Sequence, residues 1–358
     1  MAETIRELVS EKAVDERIVE LGKQISKDYE GKQVHLICVL KGGVFFMCEL
    51  AKRISVPVSM DFMSVSSYGD DTKSSGVVKI VKDLDEAIEG KDFLVLAVPS
   101  PFTRATAKKM CPYVAEGQKI VDVAKGIEES TLKTLSQQIE EEIPQADVAV
   151  LSGPSHAEEV GRKLPTTCVI GAKTKKTAEY LQKAFISPVF RVYISPDILG
   201  IELGGSLKNV IALAAGMADG LGYGDNTKAA LITRGIAEIA RLGMKMGGKL
   251  ETFTGLTGIG DLIVTCASVH SRNRKAGYLM GQGKSMQEAM DEVQMVVEGV
   301  YSAKAAARLA EKYDVSMPIV TAVNQILFEG KKARDAVNEL MLRESKNEHA
   351  SLPWPDEV

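Results

Sequence analysis

One long stretch of small and apolar residues, 200–234, limits most strongly what this chain can fold into. Within it, apolar side chains recur at steps of three and four residues: Leu207, Val210, Ile211, Ala214, Met217 and Leu221. This spacing predicts one face of a buried helix. Lys208 lies off that face, among the small residues Gly204, Gly205 and Ala212. Such neighbours leave room for a ligand against the helix backbone, but an ordinary solvated lysine fits the stretch equally well.

Composition narrows the class of protein. A chain of 358 residues favours two domains over one. The net charge of −4 and the 26% of charged residues indicate an ordinary soluble protein and give no reason to expect nucleic-acid binding. The five cysteines are widely spaced and the four histidines have no metal-ligand spacing, so neither disulfides nor a metal site is expected. No signal peptide or membrane span is predicted, which favours the cytoplasm and no membrane partner.

The N-terminal part contains a pattern that is typical of phosphate binding. The continuous apolar run 34–40 predicts a buried parallel strand, and it leads into Lys41-Gly42-Gly43 and a helical pattern. A glycine turn between a strand and a helix offers backbone N–H groups to a phosphate, but the same sequence also makes an ordinary tight turn. Strands are further predicted over 56–65 and 77–81, with a polar loop over 66–76 between them.

Residues 1–92 resemble the first half of hypoxanthine phosphoribosyltransferases. Two motifs carry the resemblance, Val39-Leu40-Lys41-Gly42-Gly43 and Ser66-Ser67-Tyr68-Gly69. It implies that Lys41 and Gly42 bind a diphosphate and that the second motif is an active-site loop. The Glu-Asp pair and the Asp-x-x-x-Gly-x-Thr loop of that family appear nowhere later in the chain. Phosphoribosyl transfer is therefore kept as an alternative function only.

From residue 93 the pattern changes to strands that alternate with helices. The predicted strands are 93–98, 119–123 and 147–151, and the predicted helices are 104–111, 130–142 and 156–163. Alternation of this kind predicts a parallel α/β sheet, which binds its ligands at the carboxyl ends of the strands. Lys125, Gly153 and Ser155 lie at such ends. From Pro196 the strand signal fades, and helical patterns run to about residue 344, which predicts a second, mostly helical domain.

Residues 93 to about 344 are similar to bacterial NAD(P)-dependent glycerol-3-phosphate dehydrogenases. The motifs that carry the similarity are Ala97-Val98-Pro99-Ser100, Ala124-Lys125-Gly126-Ile127-Glu128, Leu151-Ser152-Gly153-Pro154-Ser155-His156-Ala157-Glu158-Glu159, Lys208-Asn209, Gly258-Ile259-Gly260-Asp261-Leu262, Ser271-Arg272-Asn273-Arg274 and Val296-Val297-Glu298-Gly299. The resemblance implies a Rossmann-like, parallel-sheet α/β domain followed by an all-helical domain like that of 6-phosphogluconate dehydrogenases. It also implies NAD or NADP as cofactor, glycerol 3-phosphate or dihydroxyacetone phosphate as substrate, a role in phospholipid synthesis, and a homodimer as one assembly.

The two resemblances together divide the chain into four parts. We expect a phosphoribosyltransferase-like half domain over 1–92 and the remainder of a dinucleotide-binding domain over 93–195. A helical substrate-binding domain is expected over 196–345, and a tail over 346–358. The chain has no Gly-x-Gly-x-x-Gly turn in its first ninety residues. That turn holds the cofactor pyrophosphate in the dehydrogenases, so its absence is expected to weaken cofactor binding.

The second resemblance also assigns roles to individual residues. It makes Lys208 the proton acceptor. The implied substrate-binding residues are Lys125, Gly153, Ser155, Lys208, Asp261, Ser271, Arg272 and Asn273. The implied cofactor-binding residues are Lys125, Ala157, Arg272, Val296 and Glu298. No chemistry is assigned to His156.

Chemistry supports these roles without excluding ordinary structural ones. A lysine can act as a base only if burial and positive neighbours bring its pKa to roughly 7–8, which Lys125 would help to do for Lys208. Asp261 lies one turn from Thr265 and either faces the same site or caps a helix. The group Ser271-Arg272-Asn273 suits a phosphate dianion, but spacing alone favours a solvated surface turn. A non-catalytic module that binds phosphorylated ligands therefore remains a further alternative.

Overall fold

The computed structural model describes residues 10–40, 44–68, 74–82, 91–345 and 347–348. It divides into two compact units, Met1–Ile88 and Glu89–Val358. The described residues form one β-sheet in each unit. The four domain limits expected from the sequence stay a prediction.

The first unit contains a three-stranded sheet and two helices. Its strands are β1 (Val34–Leu40), β2 (Val58–Tyr68) and β3 (Ser74–Lys82), and its helices are α1 (Glu11–Asp28) and α2 (Val44–Ala51). β1 and β2 are parallel, and β3 runs antiparallel to β2. α1 begins after Ser10, whose hydroxyl accepts a hydrogen bond from the backbone N–H of Ala13 at 3.3 Å. Ile18 of α1 and Leu50 of α2 are buried in the small core of this unit.

The predicted polar loop 66–76 is shorter in the structure. β2 continues to Tyr68 and β3 begins at Ser74, because antiparallel pairing satisfies the backbone groups of these polar residues. The remainder of the loop, 69–73, lies outside the described residues. Lys41 and Gly42, the implied diphosphate-binding residues, also lie outside them.

The second unit begins with a five-stranded sheet. Its strands are β4 (Phe93–Leu96), β5 (Lys119–Asp122), β6 (Asp147–Ser152), β7 (Thr166–Ala172) and β8 (Phe190–Ser195), and its helices are α3 (Thr103–Met110), α4 (Leu135–Glu142), α5 (Ala157–Gly161) and α6 (Lys175–Phe185). The strands follow one another in chain order across the sheet. Three neighbouring pairs are parallel, but β6 and β7 are antiparallel, which the predicted all-parallel sheet did not include.

α4 begins later than the helix predicted over 130–142. Thr134 forms a capping box with Gln137, so the helix begins at Leu135. The preceding residues make a turn instead, with Leu132 at a φ of 63° and an isolated bridge between Ile127 and Thr134. This turn follows the Lys125 loop directly.

The rest of the second unit is helical and is built around one central helix. The helices are α7 (Ile198–Gly220), α8 (Asp225–Lys245), α9 (Leu250–Phe253), α10 (Asp261–Ala267), α11 (Arg272–Gly281), α12 (Met286–Val293), α13 (Glu298–Lys312), α14 (Pro318–Phe328) and α15 (Ala333–Met341). α7 packs against α8, α10, α11 and α13. The expected class, a mainly parallel α/β sheet followed by a helical part, is therefore confirmed.

α7 is buried on nearly every side, not on one face only. A Cβ added at Gly277 of α11 would lie 2.1 Å from the carbonyl oxygen of Leu213, so the two helix backbones touch. The same helix is the one described helix that is long and apolar enough to span a membrane, and 83% of its most apolar window is buried inside the protein. Burial of this extent is typical of a core helix.

Candidate active site

Two lysines and one aspartate meet at the centre of the second unit. Nζ of Lys125 donates hydrogen bonds to Oδ2 of Asp261 at 2.8 Å and to the Gly153 carbonyl at 3.0 Å. Nζ of Lys208 donates to Oδ1 of the same aspartate and, at 2.7 Å, to the hydroxyl of Thr265. Asp261 thus bridges two ammonium groups from distant parts of the chain.

Local packing sets the positions of these side chains. Asp261 is the first residue of α10, directly after a turn of π-helix over Leu256–Gly260. A Cβ at Gly204 of α7 would lie 2.4 Å from the carbonyl oxygen of Thr257, so α7 passes this turn at backbone distance. The Thr265 hydroxyl donates to the Asp261 carbonyl at 2.6 Å, so its lone pair faces Lys208. Asp261 is therefore a member of the site, whereas the residue in the N-cap position is Gly260.

Burial and nearby charge set the pKa of Lys208. Lys208 is 5% exposed, and burial, followed by the charge of Lys125, lowers its pKa to about 7, although Asp261 opposes the shift. Burial alone would raise the pKa of Asp261, but the Lys125 and Lys208 charges outweigh it and lower that pKa. Asp261 therefore stays ionised, while Lys208 exchanges a proton near neutral pH.

The room that the small residues leave beside Lys208 is used by protein atoms. A Cβ at Gly205 would lie 3.5 Å from Cγ of Lys125 and 3.0 Å from the hydroxyl of Ser152. Gly205 thus admits the side chain of Lys125, which carries its ammonium group toward Asp261. A contact between a ligand and the backbone of α7 stays a prediction.

Gly153 and Ser155 lie in the loop after β6. The Gly153 carbonyl accepts hydrogen bonds from Lys125 and, at 3.1 Å, from the hydroxyl of Ser155. Gly153 has a φ of 146°, and a Cβ there would lie 3.0 Å from Cα of Cys168, so only glycine fits. The structure therefore brings Gly153 to Lys125, as the sequence predicted for the carboxyl ends of neighbouring strands.

The group Ser271-Arg272-Asn273 forms the start of α11. The hydroxyl of Ser271 caps the helix by accepting from the backbone N–H of Arg274. Asn273 is buried, and its side chain makes two hydrogen bonds: it donates to Asn209 at 3.0 Å and accepts from the backbone N–H of Gly299 at 2.8 Å. Its side chain thus joins α7, beside Lys208, to α13. Arg272 is exposed.

Glu298, the first residue of α13, binds the loop after β4. Its carboxylate accepts hydrogen bonds from the hydroxyl of Ser100 and, at 3.2 Å, from its backbone N–H. A Cβ at Gly126 would lie 2.2 Å from Cβ of Ser100, so the loops after β4 and β5 meet the start of α13 at the carboxyl edge of the sheet. Arg272 is close enough to lower the pKa of Glu298, which burial raises.

The carboxyl edge of the sheet, next to Glu298, has features that suit a nicotinamide cofactor. Dinucleotides bind at the carboxyl edge of an α/β sheet, and a carboxylate such as Glu298 can accept from an amide. The exposed Ala157 at the start of α5 and the half-buried Val296 before α13 are the other implied contacts.

Sequence reasoning missed three residues near this site. Ser100 and Asn209 stood inside recognised motifs, but only long-range hydrogen bonds show that they hold Glu298 and Asn273. His156 lies close enough to Lys208 and Asp261 for both charges to shift its pKa. The sequence signal for His156 was its position between Ser155 and Ala157, since the resemblance implies that both of these residues contact ligands.

Lys208, buried and with a pKa of about 7, stands beside an α/β sheet edge of the kind that binds dinucleotides, an arrangement that suits a dehydrogenase. Family profiles agree with this class: "NAD-dependent glycerol-3-phosphate dehydrogenase C-terminus" matches residues 197–338 and the corresponding N-terminus profile matches 64–178. The chain belongs to the NAD-dependent glycerol-3-phosphate dehydrogenase family. A phosphoribosyl transferase domain profile matches residues 5–96, so the chimera-like composition is confirmed.

Known relatives support the assignment. A glycerol-3-phosphate dehydrogenase [NAD(P)+] of Agathobacter rectalis is 70% identical over 277 residues, which are 77% of this chain and 82% of that protein. The Bacillus subtilis protein of the same description is 51% identical over 80% of this chain and 84% of its own length. The crystal structure of a glycerol-3-phosphate dehydrogenase from Coxiella burnetii has a TM-score of 0.73 at 32% identity, and the match covers 91% of this chain and 95% of that one.

Proposed function

We propose that the chain interconverts sn-glycerol 3-phosphate and dihydroxyacetone phosphate with NAD or NADP, with Lys208 as the proton acceptor. The observation that carries this proposal is the bridge of Lys208 and Lys125 by Asp261, in which burial and Lys125 lower the pKa of Lys208 to about 7. The family to which the chain belongs supports the substrate and the cofactor. The reaction supplies a precursor of glycerophospholipids, and we propose the cytoplasm as its place.

The two lysines have different proposed roles: Lys208 transfers the proton of the reacting hydroxyl, and Lys125 binds the substrate. In the oxidative direction, neutral Lys208 removes the proton of the C2 hydroxyl, and in the reductive direction its ammonium group returns that proton. Asp261 stays ionised and holds both lysines, so the proton is transferred at a fixed position. Lys125 has a side chain that is 20% exposed, which lets its ammonium group bind an oxygen of the substrate.

The phosphate of the substrate is assigned to the start of α11. Exposed Arg272 presents a guanidinium fork that can bond two phosphate oxygens, and the first backbone N–H groups of the helix add to this. Ser271 and Asn273 are proposed to complete this site, although both already make hydrogen bonds within the protein. Gly153 and Ser155 are proposed to line the substrate from the loop after β6.

The cofactor is assigned to the carboxyl edge of the sheet. When bound, it supplies the acceptor of the hydride from C2. Glu298, Val296, Ala157 and Arg272 are proposed to hold it there, together with the Lys125 loop. The residues of this unit contribute no Gly-x-Gly-x-x-Gly turn, so we expect weaker cofactor binding than in dehydrogenases that have one.

The proposed function is tested by NADH oxidation with dihydroxyacetone phosphate. The full chain is expected to turn over, and the Lys208→Ala variant is expected to lose nearly all of that activity. Lys245→Ala is the matched control, because Lys245 is an exposed lysine at the end of α8. Equal rates for the wild type and Lys208→Ala would contradict the proposal.

A different experimental result would support each of the two alternative functions. Production of inosine monophosphate from hypoxanthine would support phosphoribosyl transfer, which rests on the matched residues 5–96 alone. Calorimetry that detects glycerol 3-phosphate binding, without NADH binding or turnover, would support a non-catalytic module instead. We expect neither outcome, since the base and its partners are assembled.

A further inference from the structure

His156 lies between the lysine pair and the proposed phosphate site. It is the last residue of the loop after β6, and α5 begins at the next residue. Its ring centroid is 6.1 Å from that of His270, which directly precedes Ser271 and α11. The charges of Lys208 and Asp261 also reach its ring. The imidazole therefore lies near both proposed contact points of the substrate, its hydroxyl at Lys208 and its phosphate at α11.

One nitrogen of His156 is left without a partner. Nε2 is buried and makes no hydrogen bond to any residue that the structure describes. The backbone carbonyl of Val264, on α10, interacts with the ring as a hydrogen-bond acceptor. Since Nε2 has no partner, this carbonyl is assigned to Nδ1. A buried polar atom without a partner is uncommon in folded proteins and indicates a role for that atom.

The groups around His156 favour a neutral ring until an anion arrives. Burial lowers the pKa of His156, and the charge of Lys208 on α7 lowers it further. The Val264 carbonyl, Asp261 on α10 and Glu158 on α5 act in the opposite direction but do not outweigh burial. The ring of His270 also faces that of His156. A phosphate dianion beside Nε2 would favour the imidazolium form, whose Nε2–H is a charge-assisted donor.

We propose that Nε2 of His156 donates a hydrogen bond to a phosphate oxygen of the substrate and that the ring takes up a proton when the substrate binds. This inference rests on the proposed function, because it uses the same substrate. It makes His156 a phosphate-binding residue in addition to those implied by the family resemblance. Substrate affinity then depends on pH through His156, apart from the titration of Lys208.

Histidine NMR of the full chain tests the proton uptake directly. The chain has four histidines, so the ring Cε1–H signals are few, and the His156→Phe variant assigns one of them. In saturating glycerol 3-phosphate, the pKa of His156 is expected to rise by about one unit or more, which corresponds to a tenfold change in proton affinity. Glycerol at the same concentration lacks the phosphate and is expected to leave that pKa unchanged.

Kinetics provide a second readout. His156→Phe is expected to raise the KM for dihydroxyacetone phosphate about fivefold at pH 5.5 and less than about twofold at pH 8.5, where the ring is neutral in either case. The His156→Asn variant keeps a polar side chain but cannot titrate, and it should show the same loss of pH dependence. His35→Phe is the control, because His35 contacts Ser59 in the first unit.

The outcomes separate this inference from the proposed function. If glycerol 3-phosphate shifts other signals of the chain but leaves the pKa of His156 unchanged, the inference is wrong and the proposed function stands. If KM in both His156 variants keeps the pH dependence of the wild type, the inference is again wrong. If glycerol 3-phosphate causes no change anywhere in the spectrum, the proposed function and this inference fail together.

Discussion

Nζ of Lys125 lies 2.8 Å from Oδ2 of Asp261, which leaves Oδ1 of the same carboxylate to Lys208. The single buried carboxylate of Asp261 therefore pairs with two ammonium groups. Because two ammonium groups share it, the charge of Lys125 favours the loss of a proton from Lys208. Lys208 is the more deeply buried of the two, so it is the lysine that loses its proton near neutral pH.

The first prediction concerns the pH dependence of the reaction in its two directions. Lys208 has a pKa of about 7 and must be neutral to accept the hydroxyl proton. Oxidation of glycerol 3-phosphate is expected to speed up as pH rises through about 7, whereas reduction of dihydroxyacetone phosphate is expected to slow down over the same interval. Measurement of kcat from pH 5.5 to 9 in both directions checks this. Profiles of the same sign in both directions would rule out Lys208 as the group that titrates.

The second prediction separates the contributions of Lys125 and Asp261. Lys125 lowers the pKa of Lys208 and Asp261 raises it, so their removal is expected to have opposite effects. Lys125→Met should move the inflection of the kcat profile above 7, and Asp261→Asn should move it below 7, each by about one unit. Activity falls in both variants because both residues are proposed to contact the substrate. Shifts in the same direction would contradict the assigned charges.

Much of this site was predictable, because its residues belong to motifs at the ends of regular elements. Lys125 and Gly153 follow adjacent parallel strands, and strand order alone brings their loops together. The contact of Lys208 with Asp261 spans 53 residues of the chain and came only from the family resemblance. No periodicity specifies which turn of one helix meets which turn of another.

The features that the sequence did not predict depend on contacts between residues that are far apart in the chain. The hydroxyl of Ser100 binds Glu298 across 198 residues, and nothing near Ser100 indicates that partner. The antiparallel pairing of β6 with β7 was missed because no strand was predicted over Thr166–Ala172 or Phe190–Ser195. Asn273 is proposed to bind phosphate, and its motif did not indicate the hydrogen bonds that its amide also makes to Asn209 and Gly299.

The third prediction tests the close packing of α7 against α11. A Cβ at Gly277 would lie 2.1 Å from the carbonyl oxygen of Leu213, and helix backbones cannot move aside cheaply. Gly277→Ala is therefore expected to destabilise the protein by about 1–3 kcal/mol, measured by urea unfolding. Gly161→Ala is the control, since no atom lies within 4 Å of its added Cβ. Equal stabilities for the two variants would show that the helices are not in backbone contact.

The last prediction concerns a buried carboxylate far from the lysine pair. Glu238 of α8 is 2% exposed and accepts hydrogen bonds from the backbone N–H groups of Ile319 and Val320 at the start of α14, at 2.8 and 3.3 Å. Burial raises its pKa from 4.5 to about 7, although these two bonds, Arg241 and Arg343 lower it. The folded protein therefore holds this proton more tightly than the unfolded chain does. Stability from Glu238 is complete below about pH 4.5 and is lost as pH rises through 7.

The Glu238→Gln variant keeps an oxygen that can accept from α14 but cannot ionise. Between pH 5 and 8, the wild type is expected to lose about 3 kcal/mol of unfolding free energy relative to the variant, since one pKa unit corresponds to about 1.4 kcal/mol. Urea unfolding of both proteins at the two pH values measures this difference. Glu251→Gln, at an exposed position in α9, is the control and should follow the wild type. A parallel pH dependence of the wild type and Glu238→Gln would mean that Glu238 is already ionised at pH 5.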